Sequence, residues 1–237
     1  MMLCVNGSGS SGNNYVLQNE NEAIVLECGL PMSKAVETVN FDLTKIRGCL
    51  VSHIHDDHAK YIQQWQDSGI SVYTSQEVAL SFSDVGRKIT PIDDVIQLGG
   101  FFVKPFRLVH DDVPCCGYYI QHDDFGKLLF ITDTAYVPQN FAPLKINHLL
   151  VEANYSKQYI ESSANFGHVL QGHMEIETTK RFVQHVNSQR LNNVILLHLS
   201  TKNADGEAFK CEVQKIVSCP VYVARKGMCV ELGKEVF

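Results

Sequence analysis

The chain has 237 residues, 45% hydrophobic and 19% charged, with 20 basic against 26 acidic side chains and a net charge of −6. These values exclude a disordered or fibrous chain, and they exclude nucleic-acid binding through a broadly basic surface, so any such binding has to be local. No stretch approaches the roughly 18 uninterrupted apolar residues of a membrane span. Residues 1–12 lack the basic region of a secretory signal, so a cytoplasmic chain is expected, its eight cysteines reduced and carrying none of the chemistry.

In chain order, residues 3–6, 15–18 and 23–27 read as strands separated by polar turns. Residues 33–40 suit a short helix with Ser33 as its cap. A buried strand at 49–51 runs directly into Ser52-His53-Ile54-His55-Asp56-Asp57-His58. Residues 59–67 place Tyr61, Ile62 and Trp65 at helical spacing, and Gly69 ends that segment. Strands are expected at 71–74, 101–109, 117–121 and 128–132, the last two joined as a hairpin through the polar turn 122–127. A strand at 148–152 and a helix at 175–190 follow, the helix turning Ile176, Phe182, Val183 and Val186 inward. A strand at 194–197, a helix at 206–217 and a closing hairpin of 221–224 with 228–232 complete the chain. No linker, repeat or charge block divides it, so residues 1–237 are expected to form one domain. Its mixture of hairpins and strand–helix units implies an α/β fold with mixed rather than purely parallel sheet.

Ten histidines are the unusual count. His53, His55, Asp57 and His58 lie within six residues, immediately after a buried strand. Imidazole and carboxylate suit zinc or another first-row divalent metal. Three histidines and an aspartate on one tight loop cannot all reach one ion, so the alternation favours His53 and His55 on one metal and Asp57 and His58 on a neighbour.

This H-x-H-x-D-H pattern resembles the signature of the metallo-β-lactamase-fold hydrolases. Val109-His110, Thr132-Asp133-Thr134 and Leu197-His198-Leu199-Ser200, each after a strand, are similar to the later ligand segments of that family, in the same order. The resemblance implies a four-layer αββα sandwich with two mixed sheets. It also implies two divalent ions, zinc first and manganese as the other candidate. His53, His55 and His110 would hold one ion, Asp57, His58 and His198 the second, and Asp133 would bridge them. A hydroxide between the ions would serve as nucleophile.

Within the family, the second position is His55 where the redox diiron members resemble H-x-E-x-D, so oxygen chemistry is disfavoured. Exported β-lactamases generally lack the aspartate that Asp133 would supply. Glyoxalase II-type thiolester hydrolases share all seven ligand types and stay open, as does a non-catalytic metal-binding module. Glu152 and His173 resemble the Glu and His of ribonuclease Z-like phosphodiesterases, where the pair is thought to deliver a proton to the leaving oxygen. Asp57, Glu152 and His173 are therefore the candidate catalytic residues.

The segment Asn6-Gly7-Ser8-Gly9-Ser10-Ser11-Gly12-Asn13 resembles a loop of small bacterial exonuclease-like members linked to cell-wall regulation. It makes Ser8, Ser10, Ser11 and Asn13 candidate substrate contacts, since such a loop brings backbone N–H groups and hydroxyls close to an anion. Two features depart from the pattern. Glu27 stands where an aspartate often supports the metal loop, and Glu175-Ile176-Glu177 replaces the S-N-E-D of the subgroup. His122, His148, His168 and His185 lie outside the pattern and are expected to be ordinary residues.

A DNA or RNA phosphodiesterase of 5′-exonuclease type is the leading expectation, and a cyclic-nucleotide phosphodiesterase the alternative. The acidic balance, and the want of a segment for an added substrate-holding arm, favour a small or local footprint. A homodimer is left open.

Overall fold

Hairpins and crossover units of this chain divide between two seven-stranded sheets. The computed structural model describes residues 1–111, 113–160 and 172–234. The first sheet contains β1 (Met2–Gly7), β2 (Asn14–Gln18), β3 (Ala23–Leu26), β4 (Ile46–Leu50), β5 (Val72–Ser75) and β6 (Thr90–Ile92), with the last strand, β14 (Cys229–Glu231), against β1. The second contains β7 (Ile96–Leu98), β8 (Phe101–Leu108), β9 (Cys115–His122), β10 (Gly126–Ile131), β11 (His148–Glu152), β12 (Asn193–Leu197) and β13 (Val221–Val223).

Both sheets are mixed, and they are mixed in the same way. From β14 through β1 and β2 to β3 the pairing is antiparallel, and from β3 through β4 and β5 to β6 it is parallel. From β7 to β10 the pairing is antiparallel, and from β10 to β13 it is parallel. Antiparallel neighbours close through short turns, whereas parallel neighbours need long crossovers, and here helices occupy them.

Side-chain alternation explains how these strands become buried on both faces. Leu128, Phe130, Leu150, Ile195 and Leu197 point into the core between the sheets, with Tyr15, Leu17 and Phe101. Leu129, Ile131, Leu149, Val151, Val194 and Leu196 point the other way, onto Phe182, Val183 and Val186 of the helix Ile176–Val186 and onto Phe209 and Val213 of the helix Gly206–Gln214. Ala35 and Trp65 pack helices Met32–Thr38 and Ile62–Asp67 against the first sheet. The result is the helix–sheet–sheet–helix sandwich of the metallo-β-lactamase fold. No helix among the described residues is long and apolar enough to cross a membrane.

Five expectations change. The first helix begins at Met32 behind Pro31, not at a Ser33 cap, because proline already sets a helix-compatible φ of −51°. The helical stretch over 59–67 divides into Asp56–Ala59 and Ile62–Asp67. An unforeseen helix, Gln76–Asp84, starts where the Ser75 hydroxyl accepts the Val78 N–H. Residues 221–232 form no hairpin: β13 pairs with β12 while β14 crosses to β1, tying both sheets together. That crossing sets Cys229 opposite Cys4 in the antiparallel register, with Cα atoms 4.2 Å apart, and the two form a disulfide where reduced thiols were expected.

Candidate metal centre and catalytic dyad

Every chemical group singled out on the motif lies at the C-terminal end of a strand, where parallel sheets leave their ligand crevices. The loop after β4 carries His53, His55, Asp57 and His58; His110 follows β8, Asp133 follows β10, Glu152 ends β11 and His198 follows β12. Glu27, Asp111, Asp133 and His198 all have positive φ without being glycine, at 70°, 33°, 44° and 51°. Strain of this kind persists where the surroundings over-determine a conformation, and here it aims side chains out of the strand direction.

His53 Nε2 lies 3.0 Å from His55 Nδ1, which lies 3.2 Å from His110 Nε2. The other nitrogens of two of these rings are already engaged. His110 Nδ1 bonds the Gly172 carbonyl at 2.6 Å, and His53 Nδ1 meets the Ser52 hydroxyl at 2.9 Å. Outer hydrogen bonds of this type select a tautomer and leave the inward nitrogen as a lone-pair donor. Burial, and after it the neighbouring histidines, hold the pKa of His53 well below the usual imidazole range and lower that of His55.

A second convergence faces the first across Asp133. Asp57 Oδ2 is 3.1 Å from His198 Nε2 and 3.4 Å from His58 Nε2, while Asp133 Oδ1 is 3.3 Å from His58 Nε2. The other oxygen, Asp133 Oδ2, is 3.9 Å from His53 Nε2 and 4.0 Å from His110 Nε2. The carboxylate thus turns one oxygen to each histidine group, the placement a bridging ligand requires. The ligand atoms of His53, His55 and His110, and those of Asp57, His58, Asp133 and His198, lie within 4.8 Å of one another in each group.

The electrostatics fit divalent cations. Burial would raise the Asp133 pKa, yet the charges of His198, His58 and His53 hold it well below the carboxylate range. Burial would lower His58 and His198, yet Asp133, with Glu27 and Asp57, pushes His58 well up, and Asp133, with Asp57 and Glu152, pushes His198 up to about 10. So many carboxylates in a buried space demand positive charge beside them. Lone pairs held on one side and carboxylates on the other make a donor set suited to two ions.

Glu27, the departure from aspartate, fits without displacing the loop. It is fully buried, its Oε2 accepts the Ser52 N–H at 3.3 Å and stands 3.4 Å from His58 Nδ1. Gly29 lets the chain beyond it approach closely, since a Cβ there would overlap the Asp57 carbonyl.

His173 and Glu152 do meet. His173 Nδ1 is 2.7 Å from Glu152 Oε1 and 3.9 Å from Asp133 Oδ2, and Glu152 Oε2 accepts the backbone N–H groups of Thr134 and Met174 at 2.8 and 3.1 Å. Burial opposes both charges, but the pair prevails: Glu152 is lowered and His173 is raised.

The Gly/Ser loop is divided. The Ser8 hydroxyl accepts the His198 backbone N–H at 2.9 Å and the Tyr15 hydroxyl proton at 2.8 Å. Asn13 Nδ2 approaches His58 Nε2 at 2.9 Å, and its Oδ1 accepts the Gly9 N–H. Both residues thus brace ligands, whereas Ser10 and Ser11 stand exposed on the turn. Asn154 and Thr134 belong to the same bracing layer and went unread in the sequence. Asn154 Nδ2 donates to the His198 carbonyl at 2.8 Å, and Thr134 Oγ1 accepts the Val109 N–H at 3.0 Å. Single polar residues next to a motif carry no spacing signal, so only their position one to two residues from Asp133 and Glu152 could have drawn attention. His122 and His148 are buried away from this centre, His185 is exposed, and His168 lies outside the described residues.

Known proteins agree with this fold. The metallo-β-lactamase fold protein YhfI from Bacillus subtilis superposes with a TM-score of 0.75 over 97% of this chain and 98% of that one, at 19% identity. Human tRNase Z, short form, gives 0.67 over 98% and 99%, at 14% identity. In sequence, the exodeoxyribonuclease WalJ of Streptococcus pneumoniae serotype 2 (strain D39) is 23% identical over 217 residues, 83% of this chain and 80% of WalJ. Residues 5–83 match the family described as "Anti-Pycsar protein Apyc1". The chain has the metallo-β-lactamase fold, and its resemblance to the small exonuclease-like members is borne out by the likeness to WalJ.

Proposed function

We propose that the protein is a metal-dependent phosphodiesterase acting on DNA or RNA, of 5′-exonuclease type, and that residues 1–237 work as one domain. The observation that carries this reading is the contact of His173 with Glu152 beside Asp133. Cleaving an unactivated phosphodiester expels an alkoxide, which needs a proton, whereas a thiolate leaves without one. The exonuclease and tRNase names of similar proteins support the same reading.

His53, His55 and His110 would hold one ion and Asp57, His58 and His198 the other, with Asp133 between them; zinc is the first candidate and manganese the second. When bound, such ions polarise a phosphoryl oxygen and supply a nucleophile at neutral pH. The chain does the rest. Glu152, fixed by two backbone N–H groups, stays ionised and holds the proton on His173 Nδ1. The opposite ring nitrogen of His173 then delivers a proton to the leaving oxygen. Ser8, Asn13 and Asn154 keep the ligands in place, and substrate contact from the Gly/Ser turn falls to Ser10 and Ser11. A cytoplasmic location belongs to this proposal as well.

The test is a substrate panel with Zn²⁺ and Mn²⁺ supplied separately: bis-p-nitrophenyl phosphate, cyclic nucleotides, single- and double-stranded DNA, RNA and a glutathione thiolester. Hydrolysis of polynucleotide and of bis-p-nitrophenyl phosphate is expected. Turnover of the thiolester alone would overturn the reading, and turnover of cyclic nucleotides alone would replace its substrate.

A further inference from the structure

A groove of about 340 Å³ opens between the segment after Asp133 and the helix Ile176–Val186. Its walls include Tyr136, Gln139 and Asn140 on one side and Thr178, Arg181 and His185 on the other. One wall is linked to Glu152 through Thr134, and the other belongs to the helix that follows His173. Thr134, whose N–H binds Glu152, donates its hydroxyl to the Tyr136 carbonyl at 2.7 Å, and the helix begins three residues after His173.

The chemistry of this groove differs from that of the protein as a whole. None of its nine lining residues is acidic, on a chain with 26 acids and 20 bases. Lys180, one residue from Arg181, is neutralised by Glu177 and Glu212. Arg181 itself is exposed, its Nε donates to the Glu177 backbone carbonyl, and among the described residues no carboxylate pairs with its guanidinium. Tyr136 is 51% exposed, a large aromatic face left in water. Asn140 spends its carbonyl oxygen on His185 at 2.8 Å and on the Ala142 N–H, which leaves its amide N–H groups as donors. Gln139 Oε1 is buried and has no partner among the described residues, while its Nε2 donates to the Arg107 carbonyl.

A guanidinium that no carboxylate of the described residues pairs, an exposed aromatic ring and side-chain donors match the parts of a nucleotide: phosphate, base face and base edge. The volume lies at the low end for a small-ligand site, enough for one nucleotide. We propose that this groove receives the nucleotide on the leaving-group side of the scissile phosphate, so that the substrate is a polynucleotide strand and not a lone cyclic nucleotide. This rests on the phosphodiesterase reading of the metal centre. Arg181 contacts the next phosphate and Tyr136 stacks on the base; neither touches the reacting atoms, so both set specificity rather than rate.

The test compares the full-length wild type with Arg181→Glu, Arg181→Gln and Tyr136→Ala on a labelled single-stranded 12-mer and on bis-p-nitrophenyl phosphate. Anisotropy with the same 12-mer in EDTA gives a readout independent of turnover. Each variant should lower the ratio of kcat/KM on the 12-mer to that on bis-p-nitrophenyl phosphate at least about fivefold, mainly through KM, with matching losses of affinity. Arg181→Gln should also reduce the salt slope of binding by about 0.7, the value for one phosphate contact on a single strand. An unchanged ratio and unchanged binding would overturn the groove assignment, as would a wild type that cleaves cyclic nucleotides and bis-p-nitrophenyl phosphate but not the 12-mer. A wild type inert toward every phosphodiester would instead bring down the reading of the metal centre.

Discussion

His148 and His198 sit at opposite ends of the parallel part of the second sheet, and burial treats them almost alike, with 0% and 3% of their surface exposed. Their proton affinities move in opposite directions. At the start of β11, burial pushes His148 down to about 4. His148 Nδ1 faces the Asn193 side-chain amide at 3.2 Å and Nε2 faces the Gly233 carbonyl at 3.0 Å, a pair of partners that satisfies one neutral tautomer. After β12, Asp133 and Asp57 overcome the same burial and push His198 up to about 10. What differs is carboxylate, and the carboxylates gather at the strand ends where the chain leaves β4, β10 and β11. The same residue type is a neutral part of the core at one end and a member of a charge-demanding centre at the other.

That contrast can be broken at the metal end first. Asp133→Ala should lower kcat/KM more than about a hundredfold and reduce bound metal, read by elemental analysis beside steady-state kinetics. Full activity with both ions retained would sink the bridging role. Next, His173→Ala should cost roughly 10²–10⁴-fold on an unactivated phosphodiester, where the leaving oxygen needs a proton. With p-nitrophenolate as leaving group the loss should be far smaller, and equal losses on both substrates would argue against proton delivery.

At the other end the effect is on stability. His148 has a folded pKa near 4 against an ordinary value of 6.5, so the unfolded chain takes up the proton first as pH falls. Its contribution is therefore whole above pH 6.5 and declines through the window down to pH 4, by on the order of 3 kcal/mol. Urea midpoints across that range should fall more steeply for wild type than for His148→Gln; parallel curves would refute a neutral His148. Smallest of all, Asn193→Ala should cost about 1 kcal/mol by removing the donor to His148 Nδ1, with kcat unchanged.

Legibility followed locality. The loop from His53 to His58 could be found because one strand end delivers four chemical groups within six residues. His110, Asp133 and His198 each stand alone in sequence and were placed by the order of strand ends in a resembling family. Glu152 and His173, 21 residues apart, could be suspected together, but their 2.7 Å contact comes from pairing β11 beside β12 and returning the chain to Met174. In sequence Ser8 is a candidate substrate contact, yet it binds the backbone of a residue 190 positions away. Residues 221–232 looked like a hairpin because two short apolar runs flank a polar turn, and that local pattern is silent about which sheet has a free edge. The disulfide of Cys4 with Cys229 went unforeseen for the same reason.

Residue types and their spacing along the chain determined the mixed α/β character, the apolar runs buried on both faces and the supply of imidazole and carboxylate for metal. Those properties are local, set by side-chain period and ligand chemistry. Only the tertiary structure decided which carboxylates face which histidines, and hence which way their proton affinities move. It also decided that the 136–140 segment and the helix Ile176–Val186 leave a groove free of acidic residues on an acidic chain. Electrostatic interaction falls off over a few ångströms and takes no account of separation in sequence, so it is settled by packing.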